Sequence, residues 1–167
     1  MRALIQRVTH GKVSVEGKIA AEIDKGLVIL LGIGHGDGEE QAVYLANKIA
    51  SLRIFEDSQG RMNLSILDVH GAAIVVSQFT LYANTRKGNR PSFTEAALPD
   101  AARPLVDFFT TTLASLKIPT GQGIFGADMR VEIHNDGPVT IWLENNPKAE
   151  YTALKNVQET KMTQMGE

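Results

Sequence analysis

Hydrophobic and polar positions alternate from the first residues, and ALIQRV at 3–8, KVSV at 12–15 and KIAAEI at 18–23 read as short strands. GLVILLGI at 26–33, apolar almost throughout, reads as a fourth strand. Turn-like HG, EG and DKG separate these runs, so the N-terminal third predicts a small antiparallel sheet built from hairpins. From Glu39 the period lengthens. Ala42, Leu45, Ala46, Ile49 and Leu52 recur at helical spacing, with Glu39 and Glu40 in the first turn, where acidic side chains favour the helix dipole. One amphipathic helix over the sheet is expected.

LRIFED and the polar turn SQGRMN then lead to SILDV and to a run, AAIVVSQFTLYA at 72–83, that reads as one strand. A second helix is expected near 100–116, with Leu105, Phe108, Phe109 and Leu113 as its apolar face and Pro104 acceptable only near its start. MRVEIHN and PVTIWLE flank Asp136-Gly137, a strong hairpin signal. The polar residues after Glu144 read as a C-terminal tail, 145–167, partly packed or mobile, behind a single domain at 1–144.

Composition narrows the chemistry. With 167 residues and no cysteine, the chain has room for a sizeable core but no disulfide, thiolate nucleophile or Cys-ligated zinc. MRALIQRV lacks the features of a secretory signal, and the longest apolar stretch is too short to span a bilayer, so a soluble cytoplasmic protein is expected. A net charge of −2 argues against a broad nucleic-acid-wrapping surface, yet permits a local basic patch, and Arg86, Lys87 and Arg90 form the one dense basic segment. GIGHGDG at 32–38 lacks the P-loop pattern, and His10, His35, His70 and His134 stand singly, without metal-ligand spacing.

Two stretches carry anomalies. In VVSQFTLYA at 75–83, Ser77, Gln78 and Thr80 interrupt an apolar run; buried polar groups need partners, so the run is either a well-connected sheet face or the wall of a site. Strand alternation would send Ser77, Phe79 and Leu81 to one side and Val76, Gln78, Thr80 and Tyr82 to the other. Thr80 is a conceivable nucleophile, although no base lies near it in sequence. In NDGPVTIW at 135–142, Gly137-Pro138 is either a turn feeding an edge strand or a rigid backbone surface, in cis or trans, that faces a ligand. KGNRPSF at 87–93 adds a basic loop that is either solvated surface or a phosphate contact.

Taken together, MRALIQRV, GLVILLGI, KIASLRIFEDSQGRMNLS, VVSQFTLYANTRKGNRPSF and TGQGIFGADMRVEIHNDGPVTIWLE resemble the D-aminoacyl-tRNA deacylases, also called D-tyrosyl-tRNA deacylases, across residues 1–144. The resemblance implies an α+β fold with barrel-like antiparallel and mixed sheets and two main outer helices. It implies a cytoplasmic homodimer with active sites at the subunit interface, acting on the acceptor end of charged tRNA, without DNA, membrane, cofactor or metal. Ser77, Gln78, Phe79 and Thr80 match the segment lining the pocket for the terminal adenosine and its amino acid. Backbone N–H groups near Phe79 and Thr80 would position the ester and stabilise oxyanion charge, with the substrate's 2′-hydroxyl assisting water. Gly137 and Pro138 match a cis dipeptide that reaches into the other subunit's pocket and excludes L-amino acids, and Arg7 matches an arginine that holds it. Glycyl-tRNA(Ala) would pass such a filter. Lys87 and Arg90 are the candidates for tRNA phosphates. A Thr80-dependent esterase of small esters and a non-catalytic RNA-end binding module are the competing readings.

Overall fold

One strand organises the molecule. In the computed structural model, which describes residues 1–145, β1 (Arg2–Val15) runs for 14 residues without the turn expected at His10-Gly11. Its length follows from its partners. One edge pairs antiparallel with β3 (Gly26–Gly32) through residues 2–8 and with β2 (Lys18–Ile23) through residues 11–15, while the other pairs with β8 (Arg130–Glu144). The register against β8 shifts between Gln6 and Val8 and again between Val8 and His10. Such bulges change which face alternate residues reach. Ala3 and Ile5 therefore join the core beneath the helices, whereas Val8 and, beyond the second shift, Val13 enter a separate core with Ile23, Val28, Ile74 and Val76.

The apolar run in β3 is buried on both faces: Leu27, Ile29 and Leu31 face the helices and Val28 the other core. Beside β3 lies β6 (Ala72–Ser77), in parallel, and beside that β7 (Thr120–Gln122), also parallel, so the sheet is mixed. The sheet curls until β7 meets β2. At that seam a Cβ on Gly121 would stand 2.7 Å from the Ala21 Cβ, a spacing that leaves no room for a side chain. The short strands β4 (Phe55–Glu56) and β5 (Met62–Leu64) form a separate ribbon, closed by the Asp57 carboxylate, which accepts from the Gln59 and Arg61 amides.

Two helices cover one face. In α1 (Glu39–Ser51) the expected stripe is buried through Ala42, Leu45, Ala46 and Ile49, and Gln41 accepts from the Gly38 amide at its start. Helix α2 (Pro99–Ser115) buries Ala102, Val106, Phe109 and Leu113, so its stripe is rotated from the expected one and Leu105 and Phe108 flank it. Pro104 stands in the second turn, early enough that little of the helix precedes its missing N–H. Asn145 is tied down, its amide donating to the Met1 carbonyl; the rest of the expected tail lies outside the described residues. No helix among the described residues is long and apolar enough to cross a membrane.

Gly121→Val should lower unfolding stability by roughly 1–3 kcal/mol by forcing the seam apart. Urea denaturation should show a lower midpoint with an unchanged slope.

Candidate active site

The strand expected through Ala83 stops at Ser77. The Gln78 amide still donates to the Leu31 carbonyl at 2.8 Å, continuing the ladder, but the chain then closes into a single 3-10 turn at Phe79–Tyr82. Strand alternation therefore does not apply beyond Ser77: Phe79 and Thr80 are exposed, and Tyr82 is buried. The turn is secured by the Leu81 amide donating to Gln78 O and the Ala83 amide to Thr80 O. Its first N–H groups have no such partner by construction. Among the described residues the amides of Phe79 and Thr80 have no acceptor.

Ser77, Gln78 and Phe79 form one wall of a cavity of about 570 Å3. Residues 96–99 and the start of α2 form a second wall, and Phe125, Met129 and Val131 a third. Phe79 meets Phe93 edge to face at the wall, with centroids 4.9 Å apart and planes 71° apart. Among the described residues no charged side chain and no histidine lines the cavity. Thr80 is also poorly placed as a nucleophile. Its Oγ1 accepts a hydrogen bond from Gln78 Nε2 at 2.5 Å, and an amide NH2 takes up no proton. The cavity thus offers polar amide and hydroxyl side chains in an apolar surround, with the unpaired amides of Phe79 and Thr80 in the turn beside it.

The second anomalous stretch is not a hairpin. Both halves of β8 pair with the same strand, Asn135 opposite Val8 and Thr140 opposite Gln6, so five steps on β8 face two on β1 and the surplus is pushed outward. Gly137-Pro138, a cis peptide with Gly137 at φ +119°, forms the exposed tip. Only glycine adopts that backbone readily. The base of the protrusion is held tightly. Asn135 Oδ1 accepts from the Val139 amide at 2.9 Å, and Asn135 Nδ2 donates to Thr140 Oγ1 at 2.9 Å. Arg7 is 3% exposed; its Nε lies 3.0 Å from Asp136 Oδ2 and donates to the Asp136 carbonyl, while Nη1 donates to Ile54 O at 2.7 Å. Its side chain thus ties the protrusion to the segment after α1.

Within one chain, then, Ser77, Gln78 and Phe79 line the cavity, Thr80 follows them, and Arg7 meets the protrusion, but Gly137 and Pro138 do not line that cavity. Lys87 and Arg90 are exposed in a loop pinched by the bridge between Asn84 and Ser92. Among the described residues no group of three or more His, Asp or Glu side chains is placed to hold a metal ion.

Sequence reasoning missed Phe93 and Phe125, quoted only as parts of KGNRPSF and GIFGADM. It also missed a polar cluster behind the turn. Arg2 Nη1 donates to the Leu81 carbonyl at 3.0 Å and its guanidinium lies 4.2 Å over the Tyr82 ring, while the Tyr82 hydroxyl donates to Asp37 Oδ2. Asp37 also accepts from the Gly34 amide and pairs with the Met1 ammonium. These contacts join residues far apart in sequence, so no local pattern announces them.

This architecture recurs in solved structures. One titled "Structural Analysis of a probable eukaryotic D-amino acid tRNA deacylase" superposes with a TM-score of 0.70 over 85% of this chain and 97% of that one at 16% identity, which fixes the fold. Another, titled "c-Myc DNA Unwinding Element Binding Protein", reaches a TM-score of 0.82 at 38% identity over 87% and 99% of the two chains. The fold is that of the deacylase class of hydrolases. The chain belongs to the D-aminoacyl-tRNA deacylase family: the family model described as D-Tyr-tRNA(Tyr) deacylase matches residues 4–144. Proteins named D-aminoacyl-tRNA deacylase from Thermomicrobium roseum and Heliobacterium modesticaldum are 57% and 58% identical to it, covering 87% and 86% of this chain and 94% and 96% of their own.

Burial raises the Tyr82 hydroxyl pKa above its ordinary value of 10.0, with the Asp37 carboxylate adding to the effect. The folded state therefore keeps a proton that the unfolded chain releases above about pH 10, and stability falls as pH rises through that range. In Tyr82→Phe this part of the alkaline slope should vanish, read from urea midpoints between about pH 9 and 11.

Proposed function

We propose that the cavity binds the aminoacylated 3′ end of tRNA and hydrolyses the ester of a D-amino acid, releasing the amino acid and free tRNA. The carrying observation is the pair of unpaired amides, Phe79 and Thr80, beside a cavity without acid–base side chains. Water adds to the ester carbonyl carbon, and the oxygen that becomes negative accepts from these N–H groups. The ribose 3′ oxygen then leaves and takes up the proton lost by the water. The neighbouring 2′-hydroxyl of the substrate relays that proton, which makes the reaction specific to RNA. Ser77 and Gln78 hold the terminal nucleoside, and Thr80 positions groups without attacking.

Selection by hand is assigned to Gly137 and Pro138 of a second copy of the chain, which makes the working unit a homodimer with the site at its interface. Support comes from the exposed protrusion and from the buried Arg7 that fixes its base. A fixed backbone wall rejects one enantiomer by collision, whatever its side chain. Glycine has no side chain to collide, so glycyl-tRNA(Ala) is also a substrate on this reading. Lys87 and Arg90 steer the acceptor end through its phosphates.

Matched D- and L-tyrosyl-tRNA, labelled on the amino acid, test the proposal. D-tyrosine should be released at least about a hundredfold faster than L-tyrosine, and chelators should leave the rate unchanged. Equal rates would remove the filter; no release from either would leave an RNA-end binding module. Thr80→Ala should stay within about tenfold of the parent rate, because the proposed donors are backbone groups; near-complete loss, together with turnover of simple esters, would instead favour the Thr80 esterase.

A further inference from the structure

Arg103 follows Ala102, a wall residue of the cavity, on α2, and its guanidinium lies over the ring of Phe125, another wall residue, with Cζ 4.9 Å from the centroid. This placement is a choice among partners. Asp100 precedes Arg103 by three residues and Asp107 follows by four, both spacings at which helical ion pairs form. Among the described residues Arg103 pairs with neither, and Asp107 instead accepts from Gln122 Nε2 at 2.7 Å. Over the ring the guanidinium makes no side-chain hydrogen bond or ion pair among the described residues, and the side chain is exposed, so its N–H donors are available to a ligand. A planar fork of charged donors braced on an aromatic ring matches two oxygens of a phosphate.

Among the described residues the cavity carries no charged lining, so Arg103 adds positive charge at its edge. A nucleotide whose ester lies against Phe79 continues through its ribose 5′ oxygen to a phosphodiester, one sugar away from the reacting carbon and outside the apolar walls. We infer that Arg103, braced on Phe125, binds the phosphate on the 5′ side of the substrate's terminal nucleotide. This rests on the deacylase reading of the cavity and adds to it a contact that a bare nucleoside ester lacks.

The test compares D-phenylalanyl esters of tRNA, of adenosine 5′-monophosphate and of adenosine. Arg103→Gln should raise KM roughly tenfold for the two phosphate-bearing esters with kcat unchanged, and leave the adenosine ester unaffected. For the tRNA ester, the slope of log kcat/KM against log salt should become shallower by roughly 0.7, as for one lost phosphate contact on a single strand. Arg103→Lys, which keeps the charge without the fork, should recover part of the loss. Turnover of the adenosine ester doubles as a check that the variant is folded. Equal losses on all three esters, or no loss on any, would overturn the assignment of Arg103 while leaving the deacylase reading intact. A parent enzyme that cleaves none of them would overturn both.

Discussion

Hydrogen bonding along both edges of β1 is the constraint on which the other features depend. A strand paired on one edge by β2 and β3 and on the other by β8 shifts only at the cost of two ladders, so its bulges stay at fixed positions. Those bulges sort its side chains between two cores. They also leave Arg7 on the side that faces Ile54 and Asp136, so a backbone irregularity in one strand determines what its arginine holds.

Among the described residues the cavity is lined by neither histidine nor a charged side chain, so its polar character rests on Ser77, Gln78 and the unpaired amides beside them. Those amides arise where a parallel strand gives way to a 3-10 turn, because that transition leaves N–H groups without carbonyls. Backbone donors keep their charge distribution at every pH at which the fold persists. The turn is also anchored from behind by Arg2, Tyr82 and Asp37, so its donors are oriented before any ligand arrives.

Much of the fold was legible in the sequence because it is written in local periods. The helical stripe of α1 and the strand at β3 follow directly from local pattern. The errors share one cause. His10-Gly11, Asp136-Gly137 and the polar residues after Ser77 carry turn or strand signals that are correct for short fragments, but tertiary pairing decided otherwise in each case: β8 kept β1 extended, β1 kept β8 extended, and the end of the ladder beside Leu31 turned the chain. The cavity was half visible. Ser77, Gln78 and Phe79 stood out as polar or aromatic positions in an unusual run, whereas Phe93, Phe125 and the Arg2, Tyr82 and Asp37 cluster depend on contacts between distant segments.

The surplus residues of β8 have a consequence for how such a protein diversifies. Each flank of the protrusion is secured by its own stretch of ladder, so the tip between Asn135 and Thr140 carries none of the sheet's pairing with β1. Substitutions there leave the ladder intact, yet the tip is not free: Gly137 at φ +119°, Asp136 against the buried Arg7 and Val139 in the core each restrict what the protrusion accepts. A change of shape at the tip therefore has to come with compensating change at Arg7 or Asn135, which makes the protrusion a slowly varying feature on the sheet.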